Sequence, residues 1–189
     1  MGGGVNDIVQ SIAVAHGNRW IFIGGRFTRA GEASLVAGHV IRWADEQWNF
    51  MGSALNNGVN GHVNSLAVDQ DEIGVYVGGT FTFATDLPAA SLAHWRYDDG
   101  WREIGGGVQG SPGSVRALSI QGDGLYVGGE FQAVGGQLAR NLARWDGERW
   151  LTAPGGGPSD GPPDRWTGPV QQPLDRKRTD RLASASATP

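Results

Sequence analysis

Leu125-Tyr126-Val127-Gly128-Gly129-Glu130-Phe131 decides the fold, because the chain spells versions of it three times. Val75-Tyr76-Val77-Gly78-Gly79-Thr80-Phe81 and Trp20-Ile21-Phe22-Ile23-Gly24-Gly25-Arg26-Phe27 also end an apolar run in a glycine pair, with Phe two residues on. The pairs lie 54 and 50 residues apart. Downstream of each stands a Trp, at 43, 95 and 145, and then a second, at 48, 101 and 150. Six of the eight Trp therefore hold repeated positions. Upstream stands a matching run: Val9-Gln10-Ser11-Ile12-Ala13-Val14, Val63-Asn64-Ser65-Leu66-Ala67-Val68 and Val115-Arg116-Ala117-Leu118-Ser119-Ile120. Self-similarity at this period marks a repeat architecture.

Each unit reads as four short strands. The first is the Val-x-x-Leu-x-Val run, which turns through residues such as Gln121-Gly122-Asp123-Gly124 into the second, ending at the Gly pair. A connection of about a dozen residues leads to the third, around Val40 to Trp43, Leu92 to Trp95 and Leu142 to Trp145. A tight turn such as Asp146-Gly147 leads to the fourth, at the second Trp. Four antiparallel strands per unit of this length make a β-propeller blade. The expectation is an all-β fold of about three blades over 1–153 (roughly 5–52, 59–105 and 111–153), without helix, since no segment has a 3.6-residue apolar period. The repeated Gly24, Gly25, Phe27, Trp43, Trp48, Gly78, Gly79, Phe81, Trp95, Trp101, Gly128, Gly129, Phe131, Trp145 and Trp150 read as structural. The Gly pairs imply close backbone packing or unusual φ/ψ at a strand end.

The pattern resembles the kelch repeat, in the variant with Tyr-Val-Gly-Gly-x-Phe and Arg-Trp-Asp-Gly-x-x-Trp found in kelch-like repeats of surface proteins and Rax2-like propellers. The first unit departs from it, with Ala44-Asp45 where the third has Asp146-Gly147. WD40 fits less well, because the period is too long and Gly-His is missing. The galactose-oxidase-like propellers are also related by repeat, but the family's copper chemistry implies a Cys-Tyr link and this chain has no Cys.

Composition bounds the rest. Among 189 residues, 32 Gly fit many tight turns, and the net charge of −4 argues against a general nucleic-acid or anionic-membrane partner. No apolar run reaches the ~20 residues of a membrane span. The N-terminus shows no secretory signal. The localisation expected is extracellular or cell-surface if a signal-bearing region lies upstream, and cytoplasmic otherwise. Met1-Gly2-Gly3-Gly4-Val5 aligns with Ile104-Gly105-Gly106-Gly107-Val108, as though the chain began inside a repeat, so a fragment of a larger repeat protein is expected. The stretch 154–189 holds 7 of the 9 Pro and few large apolar residues, which predicts disorder.

In such a meander the long connections 26–38, 80–91 and 130–141 emerge on one face with 52–62 and 105–114. Binding candidates there are Arg26, Arg29, Asn57, Asn60, His62, Thr82, Asp86, Glu130, Arg140 and Asn141. Arg42, His94 and Arg144, each before the first Trp, are either a basic lining or structural partners of buried carbonyls. Asp69-Gln70-Asp71-Glu72 lacks the ligand spacing of a calcium loop, the four His are scattered, and no nucleophile elbow occurs, so no metal, cofactor or catalytic residue is assigned.

The function expected is a non-catalytic protein- or carbohydrate-binding or scaffold segment. The alternative is the remnant of a carbohydrate-active enzyme, with Asp86 and Glu130 its nominated pair. Three blades leave two faces bare, so further blades in cis or self-association are expected. Ile12, Phe22 and Ile41 at one end, and Leu118, Tyr126 and Leu142 at the other, are the residues expected to lie there.

Overall fold

Each glycine pair closes the second strand of a four-stranded antiparallel sheet, and three such sheets succeed one another along the chain. The computed structural model describes residues 3–152 apart from 16, 18, 19, 33, 54 and 55; the tail 154–189, expected to be disordered, lies outside the described residues. In the first blade β1 (Val9–Ala15) and β2 (Trp20–Gly25) are followed by a small hairpin, β3 (Arg29–Ala30) and β4 (Leu35–Val36), then by β5 (Val40–Ala44) and β6 (Gln47–Asn49). The second blade repeats this with β7 (His62–Val68), β8 (Gly74–Thr80), hairpin β9 (Phe83–Ala84) and β10 (Leu87–Pro88), β11 (Leu92–Arg96) and β12 (Gly100–Glu103). A bridging strand β13 (Val108–Gln109) precedes the third blade: β14 (Ser114–Gln121), β15 (Gly124–Glu130), hairpin β16 (Ala133–Val134) and β17 (Gln137–Leu138), β18 (Leu142–Trp145) and β19 (Trp150–Thr152). The sheets run β1-β2-β5-β6, β7-β8-β11-β12 and β14-β15-β18-β19. The fold is all-β and propeller-like, and no helix occurs among the described residues.

The long connections are more ordered than their polar composition implies. Each folds into its own hairpin and pairs with the connection before the blade, through Val5 with Ala30, Val59 with Ala84, and β13 with β16. Two-residue strands are too short to leave an alternation that sequence reading can detect.

The glycine pairs act through close approach, not backbone strain; none of the six has a positive φ. A Cβ on Gly25, Gly79 or Gly129 would lie 2.0–2.1 Å from the carbonyl oxygen of Ile8, His62 or Ser114, at the bulge where the first strand meets the second. The first glycine of the pair faces the next blade. A Cβ on Gly24 would meet Val63 Cγ1 at 2.5 Å, and one on Gly78 would meet Val115 Cγ1 at 2.4 Å.

Packing follows the blade boundaries. Phe22 and Val40 bury against Val63, Leu66, Val77 and Trp95 of the second blade, while Leu92, with Ala67 and Tyr76, buries against Val115, Leu125 and Val127 of the third. The paired Trp are cross-strand neighbours, Trp43 with Trp48, Trp95 with Trp101 and Trp145 with Trp150. The second Trp of each blade donates its indole N–H to a carbonyl of the preceding connection: Trp48 to Gly3, Trp101 to Met51 and Trp150 to Gly105. This is what a half-buried indole requires.

The end faces need correcting. Phe22 is fully buried on the second blade, Ile41 is fully buried with Ile23, Phe27 and Ala37 of its own blade, and Leu118 packs toward the second blade. Alternating side chains point to opposite faces of a strand, and only the pairing shows which face meets a neighbour. Ile12 and Leu142 are exposed as expected, joined at the first blade by Val9 and Val14.

Candidate functional site

The hairpins hold most of the nominated polar residues, and they use them internally. Asn60 accepts the N–H groups of Thr82 and Phe83, both at 2.9 Å, and donates to the Thr82 hydroxyl at 2.9 Å. Asn6 makes the same clamp on Thr28 and Arg29, a spacing of 54 that repeats the glycine interval and was readable as a signal. Buried Asn57 accepts from Met51 N–H at 2.6 Å and donates to Val36 O at 2.8 Å. Asn141 accepts from Phe131 N–H at 3.3 Å with φ of 64°, and Arg29 donates to Ser34 O at 2.9 Å. Asp86 accepts from Asn56 at 2.6 Å, whereas Glu130 pairs with Arg116 at 2.7 Å. The nominated carboxylates thus serve different neighbours. Arg26, His62 and Arg140 are exposed, and the His62 ring stands 5.5 Å from that of His39. Burial and the neighbouring His62 lower the His39 pKa.

The Arg42, His94 and Arg144 series differs from blade to blade. All three sit on the third strand, opposite Phe22, Tyr76 and Tyr126 of the second. His94 stacks on Tyr76 at 4.0 Å and its Nε2 lies 3.1 Å from Asp69, which also accepts from Arg96 at 3.1 Å. Arg144 donates to Asp123 at 3.0 Å. Arg42 has neither partner, because the position of Asp69 is taken in the first blade by Ala15. Its guanidinium instead lies over Trp20 (4.3 Å), Tyr97 (5.1 Å) and Trp95 (5.3 Å). Arg42 is 6% exposed, its Nε and Nη1 are buried without an acceptor, and burial lowers its pKa.

Arg42 lines an open cleft of about 440 Å³ between the first and second blades, with Met51, Trp95, Tyr97 and Trp101. Arg96 is at its edge but already engaged: Asp71 holds it at 2.8 Å and raises its pKa, with Asp98 at 3.3 Å. Around Arg96 gather Asp71, Asp98, Asp99 and buried Asp69, four carboxylates against Arg96 and Arg102. The cleft is thus bordered by the buried Arg42 and by aromatic rings, with an acidic cluster gathered around Arg96 on one side. Arg42 was legible in the sequence; Tyr97, on the second blade, and Met51, on the connection between the blades, come to the cleft only through the packing of the two blades. The Ala15/Asp69 mismatch within the repeat was the available signal.

No curated protein matches the chain. Among solved structures it is similar to the WD40 beta propeller domain of Doa1, at 18% identity and a TM-score of 0.47, over 79% of this chain and 42% of that one. The chain thus spans less than half of that structure's length. No helix among the described residues is long and apolar enough to cross a membrane. The family model for the Rax2 C-terminal beta propeller domain matches residues 40–153, which take in the last two blades and the third and fourth strands of the first. More than half of the chain is matched, and the chain belongs to the Rax2 C-terminal beta propeller domain family.

Proposed function

We propose that the chain is a non-catalytic binding module, part of a larger array of blades, whose cleft between the first two blades takes an acidic side chain of a protein segment. The observation that carries this reading is the buried Arg42 guanidinium with two nitrogens lacking acceptors. A buried guanidinium with nitrogens left without acceptors is unfavourable, and an arriving carboxylate relieves it in a bidentate, charge-assisted contact. Tyr97, 63% exposed, is the part of the aromatic cage able to swing aside and admit it. The acidic cluster around Arg96 then selects the flanks. Asp71, Asp98 and Asp99 favour basic residues beside the carboxylate and disfavour a polyanionic glycan.

The test is a fluorescence titration with short peptides carrying one Glu between Lys or Arg residues, beside uronate oligosaccharides. Tight peptide binding that falls at least tenfold in Arg42→Gln supports the reading. Equal binding by Arg42→Gln overturns it, and Arg42-dependent binding of the uronates alone replaces the peptide by a glycan. The carbohydrate-active alternative has less behind it, since Asp86 and Glu130 are each held by a neighbour of their own.

A further inference from the structure

The two internal blade junctions are built alike. At each, the Val and Leu of an incoming first strand sit on the first glycine of the preceding pair. Val63 and Leu66 would lie 2.5 and 3.3 Å from a Cβ on Gly24, and Val115 and Leu118 would lie 2.4 and 3.2 Å from one on Gly78. At each, the incoming strand also donates one N–H to a hydroxyl of the preceding first strand, Leu66 to Ser11 and Leu118 to Ser65, both at 3.0 Å.

The third blade has the same socket, and among the described residues nothing fills it. Among the described residues, the nearest groups a Cβ on Gly128 would meet are Asn141 O and Ala117 of its own blade, at 3.8 Å or more. Leu142 is 44% exposed where its equivalents Val40 and Leu92 are fully buried. The first blade carries the matching plug: Val9 and Ile12, equivalents of buried Val63 and Leu66, are 40% and 62% exposed. Both halves of a third junction of the same kind are therefore on the surface of one chain.

We infer that a second copy of this chain docks head-to-tail, seating Val9 and Ile12 of its first blade over Gly128 and Leu142 of the third blade of its partner. A contact between unlike faces needs a ring to close. Two chains of three blades make six, within the 4–8 at which propellers close. Ala117 stands where Ser11 and Ser65 offer their hydroxyls, so each intermolecular junction lacks that hydrogen bond and is weaker than the internal ones. The pairing is therefore concentration-dependent.

The inference rests on the reading of the chain as part of a larger array of blades, and the experiment separates the two. Sedimentation velocity of the full chain from about 1 to 100 µM is expected to show a monomer giving way to a dimer. Gly128→Val, which fills the socket, and Ile12→Glu, which charges the plug, are each expected to weaken dimerisation at least tenfold while far-UV circular dichroism stays unchanged. A mixture of the two variants retains one intact junction and is expected to form mixed dimers more readily than either forms dimers alone. A dimer indifferent to Gly128→Val overturns the head-to-tail contact, and growth beyond the dimer overturns ring closure. A monomer at every concentration overturns the pairing. In that case, a gain in Tm on inserting a copy of residues 59–110 after Thr152 leaves the larger array standing, and no gain overturns that as well.

Discussion

Asp69 accepts from His94 Nε2 at 3.1 Å in the second blade, and in the first blade, where Arg42 stands in place of His94, the repeat puts a buried Ala15 at the position of Asp69. The repeat thus supplies a carboxylate in one blade and omits it in the other. Introducing it is a direct trial of the cleft. Ala15→Asp is expected to pair with Arg42, to raise Tm by a few degrees, corresponding to about 1 kcal/mol, and to abolish peptide binding. Calorimetry and the fluorescence titration read the two effects. A variant that is stabilised but still binds would show that ligands do not reach the guanidinium.

The glycines that face the next blade should respond by position. Gly24→Ala and Gly78→Ala push a methyl into Val63 and Val115 and are expected to cost about 1–3 kcal/mol in urea unfolding. Gly128→Ala meets nothing closer than 3.8 Å and is expected to leave the stability of the single chain within about 0.5 kcal/mol of wild type at low concentration. Equal penalties at all three positions would remove the blade-to-blade explanation of the first glycine.

His39 provides a pH signature. Its pKa is depressed below 6.5 by burial and by His62, and its Nδ1 is buried without a partner. The unfolded chain therefore binds a proton that the folded chain resists. Stability present above 6.5 is lost as pH falls toward the lower folded value. Tm is expected to drop on acidification from pH 7 to 5. His39→Asn should flatten that drop: φ is 67° here, a value Asn tolerates, and Asn141 holds the equivalent position at 64°. An unchanged slope in the variant would assign the acid sensitivity to other groups.

Buried Asn57 braces Met51 against Val36. Asn57→Ala leaves the Met51 N–H and the Val36 carbonyl without this partner, and is expected to destabilise by about 2–4 kcal/mol. Exposed Asn60, clamping Thr82 and Phe83, is expected to cost about 1 kcal/mol when replaced by Ala. Urea midpoints compare them, and a larger loss at Asn60 would contradict the burial argument.

By itself the sequence determined the blades. Gly24-Gly25, Gly78-Gly79 and Gly128-Gly129 mark the ends of the second strands, and the spaced Trp mark the third and fourth, because strand periodicity and turn chemistry are local properties that composition exposes. It also placed the connections that became the hairpin face. What it left open depended on which side of a strand meets which neighbour. Phe22 and Ile12 lie on the same blade, one sealed against the second blade and the other exposed, and their spacing in sequence does not assign them. The cleft is of the same kind. Arg42 acquires Trp95 and Tyr97 only when two blades, some 50 residues apart, pack together, and the consequence of Ala15 for its charge exists only in that contact. Burial, and the counter-ions it makes necessary, are set between elements, so the tertiary structure alone decided them.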